Sequence, residues 1–492
     1  PSKRRLKQLA RQQASETEAR PSQLAGMHAT QRFDGATTRA QFMVRLKTEI
    51  MQVLRSPGLI VLLLLAVINT AAGLWLTQTT YGTPSHPLTA QIISNIIDGF
   101  AIFLLIIAVF YGGELVWRER DVKISEIIDS TPTANWAITI PKVLAIFCIL
   151  LLLNMAAMAT GLIFQTIKGA SEYGITSYVG WFILPVTVEM LMIAVLAVFF
   201  QALSPNKYVG WGLFFAYFIA GIFLNNMGYS NALYRYSVNP AEPLSDMNGA
   251  GGFSYGAWVL RSYWLAFGVI LLVIAHLVWP RGTDTRWRSR LKRVRPGLRG
   301  APLALIGAAV VAMIGTGGYA YYNFKILNRY ETSDEAEKFQ ADYERTQLKY
   351  ENLPRPVVKS VKLDAQIFPK ERRMDVTGNY VLRNETAAPI SEVHVRQGGR
   401  DVEYRKLALS GAKLVKDDKK FGYRIFRFDA PLQPGGEAKL DFNSRIHHKG
   451  FRNGQPETEV NLNGTFVNNF AFAPIIGMNR NGTLQDRTVR RR

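Results

Sequence analysis

Seven apolar stretches, lying roughly at Pro57–Thr77, Ile92–Gly113, Ile138–Phe164, Trp181–Leu203, Tyr208–Asn225, Trp258–Trp279 and Ala301–Tyr322, constrain this chain more than any other feature. Crossing a bilayer takes about 20 mostly apolar residues, because the hydrocarbon core is roughly 30 Å thick. One such run could be a buried helix of a soluble protein. Seven in close succession predict an α-helical polytopic membrane bundle. The fifth is the shortest.

The 492 residues carry a net charge of +21, and the position of that charge decides whether it means nucleic acid or membrane. Residues 1–56 hold 11 Lys and Arg, 114–137 hold three, the SPNK turn at 204–207 holds one and 281–300 hold eight. The other connections, 78–91, 165–180 and 226–257, hold none, Lys168 and Arg235. Alternate connections thus carry 23 against 2. The positive-inside rule makes the rich set cytoplasmic, including the N-terminus, and puts everything after Tyr322 outside. The lipid bilayer is the expected partner and nucleic acid is not. Trp75, Trp181, Trp258, Trp279, Tyr319, Tyr321 and Tyr322 at span ends fit an interfacial belt. The one cysteine, Cys148, excludes an internal disulfide framework and a cysteine-rich zinc site. The chain begins at Pro1 with charged residues and shows no cleavable signal, so it reads as a segment of a longer product or one with its start removed.

Residues 1–36 read as a basic, flexible cytoplasmic linker. In 37–56, Phe42, Leu46, Ile50 and Val53 recur at three- or four-residue steps. This predicts an amphipathic helix in the interface, capped by Thr37 or Thr38. Six spans follow within 57–280, then a basic loop, 281–300, and a seventh span, 301–322.

The tail is different material. Residues 323–353 are rich in helix formers and predict a helical stalk ending at Pro354–Pro356. Beyond it, SVKLDAQIF, MDVTGNYVL, EVHVR, YRIFRF and AKLDF alternate with period two and are separated by turn material. Residues 354–492 therefore predict an all-β antiparallel sandwich, held by packing alone.

The segment YGGELVWRERDVKISEIIDSTP, Tyr111 to Pro132, resembles the loop of type-2 ABC exporter permeases that contains the coupling helix. The resemblance covers roughly residues 37–280. It implies one six-span permease half, a separate ABC ATPase and another permease half. The coupling residues it points to are Glu114, Trp117, Arg118, Glu119, Arg120, Asp121, Glu126 and Pro132, with Lys123 and Asp129 among them. They are expected on one short helix between Glu114 and Asp129. ATP would be bound by the partner, since this sequence has no GxxxxGK[ST] loop.

Three tail stretches, VKLDAQIFPKERRMDVTGNYVLRNETAAPISEVHV, APLQPGGEAKLDF and NGTFVNNFAFAPIIGMNR, resemble the N-terminal β-domain of aminopeptidase N-like zinc peptidases. The combination resembles bacterial proteins in which a type-2 permease is fused to such a peptidase, and it implies the bacterial inner membrane. This chain would match the second permease half plus the β-domain. Zinc would belong to a catalytic domain beyond it. The chain has no HExxH, and His28, His86, His276, His394, His447 and His448 show no such spacing. No catalytic residue, metal ligand or cofactor is assigned here.

Polar residues inside spans cost free energy and usually face the bundle or a wet cavity. Asp98, Asn154 and Glu189 are the candidates. Glu189 has two readings, a substrate-path or inter-half contact and a carboxyl bonded to a neighbouring helix. Asp98 lies near the outer surface. His276 reads as structural. The adjacent His447 and His448 would face opposite sides of a strand. The sequons at Asn384, Asn463 and Asn481 read as turns. Gly315, Gly317 and Gly318 would permit close packing of the seventh span.

The leading functional expectation is a permease component of an ABC exporter carrying an external β-domain. The alternatives are part of a membrane-anchored zinc aminopeptidase, and an external module that captures a peptide or envelope partner through a sheet edge.

Overall fold

The computed structural model describes residues 34–484, apart from 77–78, 81–82, 85, 132, 246–248, 250–251, 283–286, 400 and 463. Pro132, Asn463, His28 and most of the expected linker therefore lie outside the described residues.

Among the described residues, eleven α-helices precede the β-region: α1 (Gly35–Leu54), α2 (Pro57–Leu76), α3 (Thr89–Asp121), α4 (Ser125–Ser130), α5 (Trp136–Ile167), α6 (Ile175–Leu203), α7 (Lys207–Asn226), α8 (Ser254–Leu277), α9 (Trp287–Gly297), α10 (Ala301–Leu327) and α11 (Ser333–Gln347). Seven of them, α2, α3, α5, α6, α7, α8 and α10, are long and apolar enough to cross a membrane.

The cap of α1 is Asp34, not Thr37 or Thr38: its Oδ1 accepts from the Thr37 N–H at 2.8 Å. A carboxylate satisfies the free N–H groups and also suits the positive end of the helix. Asn206 caps α7 in the same way, at 3.0 Å from Val209 N, and this permits the tight turn from α6. Ahead of Pro185, α6 passes through a π-helical turn, Tyr178–Ile183. The bundle core lies between α3, α5 and α6, where Ile96, Phe100, Ile107, Ile146, Leu150 and Val198 are buried. At the periphery, α7 exposes Phe218 and Phe223 and α10 exposes Val311 and Ile314. Apolar surface on that scale suits hydrocarbon, not water.

The expected stalk does not stand free. Thr332 and Glu335 form a capping box that starts α11. This helix lies on the β-region through Phe339 and Tyr343, whose rings sit 5.1 and 5.6 Å from that of Phe421. Lys420 pairs with Asp342 at 2.7 Å.

Eight strands follow: β1 (Val357–Phe368), β2 (Arg373–Arg383), β3 (Ile390–Arg396), β4 (Val402–Leu409), β5 (Ala412–Asp418), β6 (Tyr423–Leu432), β7 (Glu437–His447) and β8 (Ile475–Ile476). They form two antiparallel four-stranded sheets, ordered β1-β2-β7-β4 and β8-β3-β6-β5. Period-two alternation turns Met374, Val376, Tyr380 and Leu382 inward from one sheet, against Val393, Val395 and Phe426 from the other.

A small apolar joint fastens this region to the bundle. Phe451 packs with Ala232, Leu260, Ala320 and Phe324. Its N–H donates to Asn323 Oδ1 at 3.2 Å, and Asn328 donates to Lys449 O at 2.9 Å. Asn453 accepts from Ala232 N at 2.7 Å. Gly450 has φ +59°, and a Cβ there would lie 2.1 Å from Asn323 Oδ1, so the chain turns at this position only as glycine.

Candidate functional site

The segment expected to be one short helix is divided by the structure. Glu114 to Asp121 form the last turns of α3, and a break at Val122–Ile124 precedes α4. The helix continues past the expected end at Gly113 because its polar residues find partners on neighbouring helices. Lys123, at φ +59°, makes the break.

Three contacts hold the end of α3. Lys207, at the start of α7, lies 2.9 Å from Glu114 and 3.0 Å from Asp121. Trp117, itself buried, donates from Nε1 to Gln201 Oε1 of α6 at 2.8 Å. Glu119 pairs with Arg45 of α1 and lies 3.4 Å from Lys142 Nζ of α5.

Lys142 is completely buried. Its Nζ lies 2.8 Å from Glu49 Oε1 and donates to Leu115 O. Arg45 Nε is 3.8 Å from the same Glu49. Two cations and two carboxylates thus join α1, α3 and α5. A desolvated charge is tolerated only when so paired.

A second clamp holds the stretch after α4. Arg281, just past α8, donates to Asp129 O at 3.2 Å, Thr133 O at 2.9 Å and Asn135 Oδ1 at 3.2 Å, and also to Thr131 O. Gly282 N donates to Asp129 Oδ2 at 2.8 Å. Carbonyls left open beyond a helix end are satisfied here by a guanidinium.

These clamps present a tip. Val122, Ile124 and Ile127 are exposed, Ile127 by 70%, between the exposed Arg118, Lys123 and Glu126. Arg120 lies half-buried over Trp117, 5.4 Å from the ring centroid. An apolar centre with a charged rim is the anatomy of a protein-binding patch.

The other sequence candidates lie elsewhere. Glu189 accepts from Asn239 at 2.9 Å and pairs with Arg261 at 3.0 Å; Arg261, nearly inaccessible, also pairs with Glu242 at 2.5 Å. This network bolts α6 to α8 and to the segment between α7 and α8. Asp98 is exposed. Asn154 is fully buried, and neither of its amide atoms has a hydrogen-bond partner among the described residues. His448 is buried between Asp401, 4.0 Å away, and Glu459, 3.5 Å away, on opposite sides of its ring. Among the described residues no group of three His, Cys, Asp or Glu is placed to hold a metal ion.

Sequence reasoning missed Arg45, Glu49, Lys142, Gln201, Lys207 and Arg281 as site residues. A signal existed for two: Arg45 and Glu49 lie at helical spacing on the same face of α1 as Phe42, Leu46 and Val53.

Residues 45–221 match the family model described as ABC-2 family transporter protein. The match runs from the middle of α1 into α7 and contains all of α3 and α4. With the seven apolar helices, it supports a multi-pass membrane permease of an ABC transporter. No curated protein matches the chain.

Proposed function

We propose that this chain is the permease component of an ABC exporter, and that the Arg118–Asp129 tip docks an ABC ATPase on the cytoplasmic side. The observation that carries the reading is the tip itself: exposed apolar residues rimmed by charge, held between two clamps, within the region of the family match. A transporter must pass ATP-driven motion into its membrane helices, and a rigid element joined to several of them does this. Here a push on the tip reaches α1 and α5 through Glu119, α7 through Glu114 and α8 through Arg281. The sequence has no GxxxxGK[ST] loop, and in this reading the energy enters from an ABC ATPase partner and a second permease half completes the path.

The test is ATPase stimulation. Arg118→Glu combined with Ile127→Asp abolishes stimulation of the co-expressed ATPase while the protein still inserts. Undiminished stimulation would refute the assignment.

The same reading places α9 and the N-terminus in the cytoplasm and the β-region outside, in a bacterial inner membrane. Lys and Arg distribution supports it. Trypsin added to intact spheroplasts then cuts the β-region. Protection until lysis would contradict it. The β-region is proposed as a relative of the aminopeptidase N-terminal β-domain, on the three sequence stretches that resemble it and on its two-sheet form. In this reading it serves a peptide-handling partner.

A further inference from the structure

The connection between the sixth and seventh spans carries more charge than sidedness requires. From Thr285 to Gly300 the sequence has no Asp or Glu, yet it holds Arg286, Arg288, Arg290, Lys292, Arg293, Arg295 and Arg299. Most of these fall on or beside α9. This helix is tied to the bundle along its length. Only Leu298, Arg299 and Gly300 separate it from α10. Arg290, almost inaccessible, donates from Nη1 to Ala202 O near the end of α6 at 3.0 Å. Gly297 lies so close to Leu277 of α8 that a Cβ would come within 2.9 Å of its side chain. A helix fixed at these points sits beside the ends of α6 and α8 and the start of α10.

Arg288, Leu291, Lys292 and Arg295 recur at steps of three, four and seven and therefore share one face. All four are exposed, Leu291 by 56%. Among the described residues, Arg288, Lys292 and Arg295 make no ion pair.

We propose that this face binds anionic phospholipid headgroups, with Leu291 entering the acyl boundary and Arg288, Lys292 and Arg295 meeting the phosphates. Long basic side chains lie along apolar surface while their charged ends reach outward, which places them around a shallowly inserted leucine. A basic side chain near an anionic surface gains roughly fivefold in binding, so three give about a hundredfold, and salt weakens it. An acidic protein surface could meet the three cations, but the leucine in their midst and the span end three residues away favour lipid. The proposal rests on the membrane embedding of the spans, and not on which side α9 faces.

The test uses the full chain with Cys148→Ser and Leu291→Cys, labelled with an apolar, environment-sensitive fluorophore. It is reconstituted in nanodiscs of phosphatidylcholine alone or of phosphatidylcholine with phosphatidylglycerol, so both leaflets have the same composition. The expected result is a blue shift in the anionic discs that high salt reverses and that Arg288→Gln, Lys292→Gln and Arg295→Gln together abolish. Identical spectra in the two discs would overturn the proposal, as would a lipid effect that survives the triple variant. Shielding of the label only on adding an ABC ATPase, in either lipid, would assign the face to protein instead. Sidedness is read separately, from labelling of the same cysteine in intact and lysed spheroplasts, so failure of one reading does not mimic failure of the other.

Discussion

The Lys142 ammonium lies 2.8 Å from a carboxylate oxygen of Glu49, and both side chains are buried where α1 crosses α5. Removing one member leaves the other charged and desolvated. Lys142→Met is expected to cost about 3–5 kcal/mol, whereas Lys142→Met with Glu49→Leu is expected to recover most of that loss. Thermal unfolding of the four members of the cycle in detergent checks this. Additive losses would show that the two residues do not act as a pair.

Arg281 acts on the stretch after α4 through several hydrogen bonds at once. Arg281→Ala should raise amide exchange across residues 129–135 by roughly tenfold or more, since charge-assisted bonds are worth about 1.5–3 kcal/mol each. Exchange in the middle of α5 should not change. Hydrogen exchange with mass spectrometry reads both. ATPase stimulation should fall in the same variant.

The seven spans were legible because a run of twenty apolar residues is a local property. The contacts at the end of α3 were not, because Arg45 and Glu119 are 74 residues apart and Arg281 and Asp129 are 152 apart. Charges that sidedness alone could account for, such as Lys207 and Arg281, gave no sign of their partners. In the β-region, the five alternating runs all lie within strands. The strands β4 and β5 were not legible because each carries a bulge in its interior, at Tyr404/Lys406 and Leu414/Lys416, that breaks the period of two, whereas β1 and β3 have theirs near the strand start, ahead of the alternating run. The two sheets, once formed, share a core that no single strand reveals.

Asn154 sits fully buried in the third span with both amide atoms unpartnered among the described residues. Asn154→Leu has nearly the same volume and removes that penalty. It should stabilise the protein by about 1–3 kcal/mol, read as a higher melting temperature. A fall would show that the amide has a partner in the working assembly.

Two buried histidines make the β-region sensitive to acid. Burial holds His448 below the usual histidine range; Glu459 and Asp401 oppose this, while Arg372 and Arg452 add to it. Burial lowers His394 likewise, with Glu392 opposing and Lys416 adding. The folded state then binds fewer protons than the unfolded state just below the free-histidine value of about 6.5. The stabilisation is complete above that value and is lost as pH falls beneath it. Melting temperature should be flat near pH about 7.5 and decline towards pH about 5.5. His448→Gln with His394→Gln should flatten the decline. An unchanged slope would remove these residues from the account.

The most direct test of coupling is a photo-activated cross-linker at Ile127, the most exposed apolar residue of the tip, in cells that co-express the chain with the proposed ABC ATPase. The account predicts an adduct whose digest contains peptides of an ABC ATPase, lost when Arg118→Glu is added. A cross-linker at Ile127 that captures only lipid or periplasmic protein would contradict it.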